Sequence, residues 1–177
     1  MIPIHWLYKF FWLCRTLVFR FIFKKIGFSS YIGRPIFLKG TSHISIGDKV
    51  RIFPNSRMEV HKNGHLTFED NVSIGQNFHI VASGQITIRN GTLISANVFI
   101  SDTEHTFDIL HISLSDQPIS TKPTRIGKNC FIGFGAVIMP GSIIGDNCVV
   151  GSNTTVKGTF PDNSVIAGSP AKILRYR

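Results

Sequence analysis

Between Ile100 and Ile126 lie twenty-five residues, SDTEHTFDILHISLSDQPISTKPTR, that hold Asp102, Glu104, His105, Asp108 and His111 within a short span. An imidazole titrates near neutrality and can accept or return a proton at a reacting hydroxyl. The other concentration of charge is cationic and C-terminal, with Lys157, Lys172, Arg175 and Arg177. His79 and His111 could reach a common cleft with His105 if the loop folds back, whereas His5, His43, His61 and His65 are scattered. The three cysteines form no CxxC and no His/Cys cluster, so neither a disulfide framework nor a zinc finger is expected, and a reducing cytosol is the default.

What must position these residues is a repeat. Ile126, Ile132, Ile138, Ile144, Val150 and Val156 are spaced by six without a gap. Four residues after each of the first five stands a small side chain: Cys130, Ala136, Ser142, Cys148 and Thr154. A helix has period 3.6 and a strand period 2, so this pattern requires a solenoid. A six-residue unit fits one flat side of a triangular coil, aliphatic inward, with the small residue letting the chain turn. Lys128-Asn129 and Asp146-Asn147 suit corners, where left-handed backbone angles are common. Cys130 and Cys148 stand one coil apart and read as small core residues first. The earlier runs are Ile46, Ile52 and Met58; Phe68, Ile74, Ile80 and Ile86; then Ile88, Ile94 and Ile100. Each change of phase implies a corner insertion, and about six coils are expected between Ile44 and Val156. The segment 101–125 interrupts them, and a long loop in so minimal a solenoid is functional or disordered; its titratable side chains favour function.

The units IGKNCF, IGFGAV, IMPGSI, IGDNCV and VGSNTT, with the ending IAGSPAKILRYR, resemble the hexapeptide-repeat transferase family. The likeness is nearest to its sugar O-acetyltransferase branch and covers most of residues 40–177. It implies an all-β left-handed parallel β-helix, a hand that runs against the usual crossover rule. It also implies a homotrimer with sites between subunits, and acetyl-coenzyme A as co-substrate without a metal. His105 matches the catalytic histidine, the general base on a sugar hydroxyl, with Asp102 or Glu104 as the group that fixes its tautomer. Phe134, Ser152, Lys157 and Gly158 match cofactor-lining positions, and Lys172 and Arg175 match phosphate contacts. Two departures from the family pattern are Phe131, where Trp is common, and the order Lys157-Gly158, which sets the ammonium one position early. Asn77 is a candidate from an earlier coil and stays outside the catalytic set.

The N-terminal segment differs in kind. Nine aromatic residues lie within Trp6–Phe28, and no acidic residue precedes Asp48. On a helix His5, Lys9, Thr16, Arg20 and Lys24 share one stripe, with apolar side chains over most of the rest. Residues 1–28 are therefore expected to form an amphipathic helix that contacts a membrane peripherally or packs on a trimer or partner. Residues 29–177 form the β-helix domain. No charge-free run is long enough to span a bilayer, and no signal peptide is evident. The expected location is the cytoplasm, at the inner face of the membrane if the helix binds there. The formal charge of +9 allows nucleic acid, a membrane or an anionic ligand. Nucleic acid is disfavoured because the aromatics sit away from the basic residues of the repeat. Acetyl transfer to a sugar hydroxyl of a surface polysaccharide or its lipid-linked precursor is the leading reading. N-acetylation of a nucleotide-linked amino sugar is the alternative, and a β-helical carbonic-anhydrase-like metal enzyme built on His79, His105 and His111 is the alternative of another class.

Overall fold

The computed structural model describes residues 4–61 and 63–177, with side chains from Leu7 onward, so residues 1–3 and the His5 side chain lie outside the described residues. Short strands alternate with corners, and strands of successive coils pair in parallel to build three faces of a prism. The first face has seven strands, from Lys25–Ile26 to Thr159–Phe160; the second begins at Tyr31–Ile32 and the third at Phe37–Lys39. The six-residue spacing is the reason. Ile126, Ile132 and Ile138 stand on three successive faces, and each stacks in register on its counterpart in the next coil, as Ile126 does on Ile144. All of these aliphatics are fully buried, as are Ala136, Ser142, Cys148 and Thr154, the small residues at the turns.

Corner geometry follows from two residue types. Asn71, Asn129, Asn147 and Asn163 take positive φ at the edge between the first and second faces. Asn55, Asn77, Asn97 and Asn153 do so at the second edge, between the second and third. Asparagine tolerates this left-handed conformation better than most residues. Asn77 belongs to this framework: it accepts from Asn55 Nδ2 at 3.2 Å and donates to Asn97 Oδ1 at 2.9 Å. At the first edge the aspartates knit coils together. The backbone N–H of Asp48 donates to Asp70 Oδ1 at 2.8 Å, that of Lys128 to Asp146 Oδ1 at 2.8 Å, and that of Asp146 to Asp162 Oδ1 at 2.7 Å. A Cβ on Gly47 or Gly145 would lie 2.4 Å from the carboxylate of the coil above, which is why glycine precedes the aspartate.

The described residues form seven coils, five of them between Ile44 and Val156 where about six were expected, and the first strand of the first coil lies in the segment expected to be helical. The helix α1 spans Ile4–Phe19, and Lys25–Ile26 already pairs with Ser45–Ile46. Ile26, Ile32 and Leu38 keep the step of six, but the apolar run around them hides it. The stripe through Lys9, Thr16 and Arg20 also differs from expectation, because Thr16 faces inward. Its hydroxyl donates to Trp12 O at 2.7 Å and accepts the N–H of Ile32 at 2.8 Å. The helix thus covers an otherwise open strand edge. At the far end Lys172–Tyr176 turns back antiparallel on Ser164–Ala167 and covers the other edge. Among the described residues no helix is long and apolar enough to cross a membrane.

The phase changes all fall at the third edge, between the third face and the first. Here Val60 and Leu66 are both buried, and Ile86 and Ile88 are both buried on one strand, so coils widen on this side alone. The wider coils accept Phe78 in a slot that is Ala136 further on, and Phe78 meets Phe68 edge-on with centroids 6.4 Å apart.

Burial pushes the Cys130 thiol up to about 12 and raises that of Cys148 as well. In the native protein a disulfide reagent should therefore label exposed Cys14 alone, and all three thiols only after denaturation. Rapid native labelling of two or more would show the packing to be wrong.

Candidate active site

The long insertion leaves and rejoins the prism at the third edge as an ordered arm. Thr103–His105 pairs antiparallel with Ile119–Thr121, His105 lying opposite Ile119. The root is fixed by the fully buried Asp102. Its carboxylate accepts the N–H groups of Ser83 at 2.8 Å and Gly84 at 2.9 Å, and the Thr103 hydroxyl at 2.8 Å. Where the chain returns, Thr124 Oγ1 donates to Ser101 O at 3.1 Å and accepts the N–H of Gly141 at 3.1 Å. Further out Gln117, nearly buried, donates to Ile109 O at 2.9 Å and accepts the N–H of Ile109 at 3.2 Å, closing the tip.

Neither carboxylate expected beside the imidazole meets it within one chain. Asp102 is committed to the arm root, and Glu104 Oε1 lies 3.4 Å from Lys157 Nζ. Strand alternation turns His105 to the side opposite Glu104. There His105 lines an outward-facing cleft of about 470 Å³ with Thr106, Phe107, Leu114 and Ser115. The apolar wall of this cleft suits an acyl or sugar-ring surface better than a charged one.

The candidate cofactor residues fall on two edges. Phe134 and Ser152 stack at the second edge of the fifth and sixth coils, where Asn153 N donates to Phe134 O at 2.8 Å. Lys172 pairs with Ala167 and Arg175 with Val165, so both cations stand at the C-terminal end of the second face. Lys157 and Gly158 sit across the third face, on the arm's edge. Gly158 has φ of 110° and nothing within 4 Å of where a Cβ would stand, which leaves backbone open to an approaching chain. Within one prism these two edges stay on opposite sides of the third face.

A further cluster escaped the sequence reading. On the third face Arg57 donates from Nε to Glu59 Oε1, and His79 Nε2 lies 3.6 Å from the same oxygen. The His79 ring meets Phe99 edge-on at 5.1 Å. Arg57 stacks directly on His79 in the ladder, a register that depends on the widened coil and so cannot be read from a fixed period. The guanidinium holds Glu59 below its usual range, and burial lowers His79. His79 is thus on the third face and not in the His105 cleft, while His111 is exposed on the arm. Among the described residues no group of three His, Cys, Asp or Glu side chains is placed to hold a metal.

Seven triangular coils, an arm at one edge and capped ends define a hexapeptide-repeat β-helix. The model of the bacterial transferase hexapeptide (six repeats) matches residues 123–158. WbbJ of Escherichia coli (strain K12), named as a lipopolysaccharide biosynthesis O-acetyl transferase, is 32% identical over 149 residues, which cover 80% of this chain and 76% of that protein. The chain belongs to the hexapeptide-repeat transferase family, and its fold is that family's left-handed parallel β-helix. Galactoside acetyltransferase in complex with coenzyme A superposes with a TM-score of 0.63 and 27% identity, covering 92% of this chain and 69% of that one. AntD, an N-acyltransferase from Bacillus cereus in complex with dTDP and 3-hydroxybutyryl-CoA, shares the fold with a TM-score of 0.78 and 20% identity over 92% and 88% of the two chains. The chain spans between 50% and 76% of the lengths of three curated relatives that it matches.

The arm root yields a prediction about stability. Replacing Asp102 by Ala leaves the Ser83 and Gly84 amides without their buried acceptor, which should cost about 2–4 kcal/mol. Thermal denaturation should show the fall in midpoint; an unchanged midpoint would remove Asp102 from that role.

Proposed function

We propose that the protein transfers an acetyl group from acetyl-coenzyme A to a sugar hydroxyl of a bacterial surface polysaccharide or its lipid-linked precursor. It would act as a homotrimer with its sites between subunits. The observation that carries this reading is the ion pair between Glu104 and Lys157, which ties the strand bearing His105 to the edge bearing Lys157 and Gly158. The residues present suit coenzyme A: cations at the C-terminal end for its phosphates, and an open backbone at Gly158 beside which a pantetheine arm can lie.

The thioester supplies an acyl group already activated toward attack. What remains for the protein is to remove the proton of a weakly nucleophilic hydroxyl and to hold the two reactants together. His105 takes that proton as the hydroxyl oxygen attacks the thioester carbonyl, and returns it to the departing thiolate. A backbone N–H at a coil corner steadies the oxyanion. Asp102 serves the imidazole by fixing the strand that carries it. Glu104 joins that strand to the cofactor edge, and a group that sets the imidazole tautomer would come from the neighbouring subunit. Phe134, Ser152, Lys172 and Arg175 of one subunit then face Lys157 and Gly158 of the next across the slot. The sugar-hydroxyl acceptor is preferred over an amino sugar because WbbJ, at 32% identity, is named an O-acetyl transferase, whereas the AntD likeness is one of fold.

Substituting His105 by Ala should lower kcat by about 10²- to 10⁴-fold. Coenzyme A binding, followed by calorimetry, should persist. Substituting Lys172 and Arg175 by Ala should instead raise KM for acetyl-coenzyme A. Undiminished turnover in the His105 variant, with acetylated glycan as readout, would refute the assignment.

A further inference from the structure

The helix α1 and the first coil are apolar on two sides, and packing accounts for only one. Inward, the Trp12 ring lies 5.7 Å from both Tyr31 and Phe53, Thr16 is buried, and Phe19 meets Phe23 at 5.6 Å. Outward stand Phe10, Phe11, Leu13, Leu17 and Val18, followed by Phe21 at 90% and Phe28 at 75% exposure. Between helix and coil a cleft of about 300 Å³ is lined by Leu13, Leu17 and Phe28, with Arg20 beside them. The Arg20 guanidinium is held in place by donation to Gly27 O at 3.2 Å. Exposed Lys24 and Lys25 follow Phe21 closely in the chain, and among the described residues the one carboxylate bonded to this segment is that of Asp48, which accepts the Phe28 N–H at 2.7 Å.

We infer that this surface docks on a bilayer containing anionic lipid, its aromatic and aliphatic side chains entering the acyl boundary and its cations meeting headgroup phosphates. An exposed apolar face of this kind marks an interaction site, and an excess of cations beside it favours a negative partner. A second copy of this chain is a poor match, because its own carboxylates are already engaged. Asp48, Asp70, Asp102, Asp146 and Asp162 accept backbone amides. Glu59, Glu69 and Glu104 face cations of the same chain. Of the ten acidic residues only Asp108 and Asp116 remain, both on the arm. A lipid surface supplies many phosphates at once and tolerates an irregular apolar contour. The inference rests on this surface and not on the acetyl-transfer reading, so coenzyme A binding can serve as its control.

The test is flotation of the full-length protein with vesicles of phosphatidylcholine alone or with about one-third phosphatidylglycerol. Wild-type protein should float with the anionic vesicles, less so in high salt, and poorly with the neutral ones. Leu17→Glu with Phe21→Glu should reduce the bound fraction at least about tenfold, since charge on the inserted face opposes burial. Lys24→Ala with Lys25→Ala, at exposed positions that cannot unfold the prism, should weaken binding about tenfold or more and flatten the salt dependence. An unchanged melting temperature and retained coenzyme A binding would show the variants folded. No flotation of the wild type, or flotation of both variants equal to that of the wild type, would overturn the inference. So would a reduction in assembly mass on Leu17→Glu with Phe21→Glu, which would make a second copy the occupant.

Discussion

Stacking of one coil on the next is the constraint from which everything else in this protein follows. Each coil is too small to bury its own aliphatics, and its strands have no partners until another coil lies at sheet spacing, about 4.8 Å away. The hydrogen-bonded ladder and the column of isoleucines are therefore satisfied together or not at all. Corners must match in successive coils, which explains the asparagines in left-handed conformation and the aspartates that accept amides from the coil beneath.

This constraint leaves two ends with unpaired strand edges, and the two are covered differently. At the C-terminus a returning strand does so and places Lys172 and Arg175 beside the last coils. At the N-terminus the helix does so, with the Thr16 hydroxyl satisfying the Ile32 amide. Each cap is also the site of a proposed contact: phosphates of coenzyme A at one end, phosphates of lipid headgroups at the other. The corners tolerate extra length only where stacking is interrupted least, and one edge takes all of it. The arm is the largest of these insertions, which is why it is an ordered hairpin with a buried root.

The polar residues divide along the same lines. Asp102 looked like a member of the catalytic group because it stands three residues before His105, yet its environment is that of a structural carboxylate, held by two backbone amides and a hydroxyl. Glu104 connects arm to prism. His105 alone of the three faces an open cleft. In the proposed trimer an interface between subunits would join the candidate cofactor residues of the two edges, which makes the assembly part of the proposed chemistry.

The sequence by itself determined the period, the inward aliphatics, the small corner residues and the position of the arm, because each is a local requirement repeated at fixed spacing. From Ile126 to Val156 that repetition is unbroken, and the coils there match expectation residue by residue. It could not show the first coil, whose Ile26, Ile32 and Leu38 are lost among other apolar residues, nor the end of the helix at Phe19. Tertiary structure alone decided where carboxylates point, because the direction of a side chain at a corner depends on which amide the adjacent coil presents. It likewise decided that Arg57, Glu59 and His79 meet, since the widened third edge changes the register between coils. Spacing along the chain encodes which face a residue occupies; only the stacked coils set which neighbours share it.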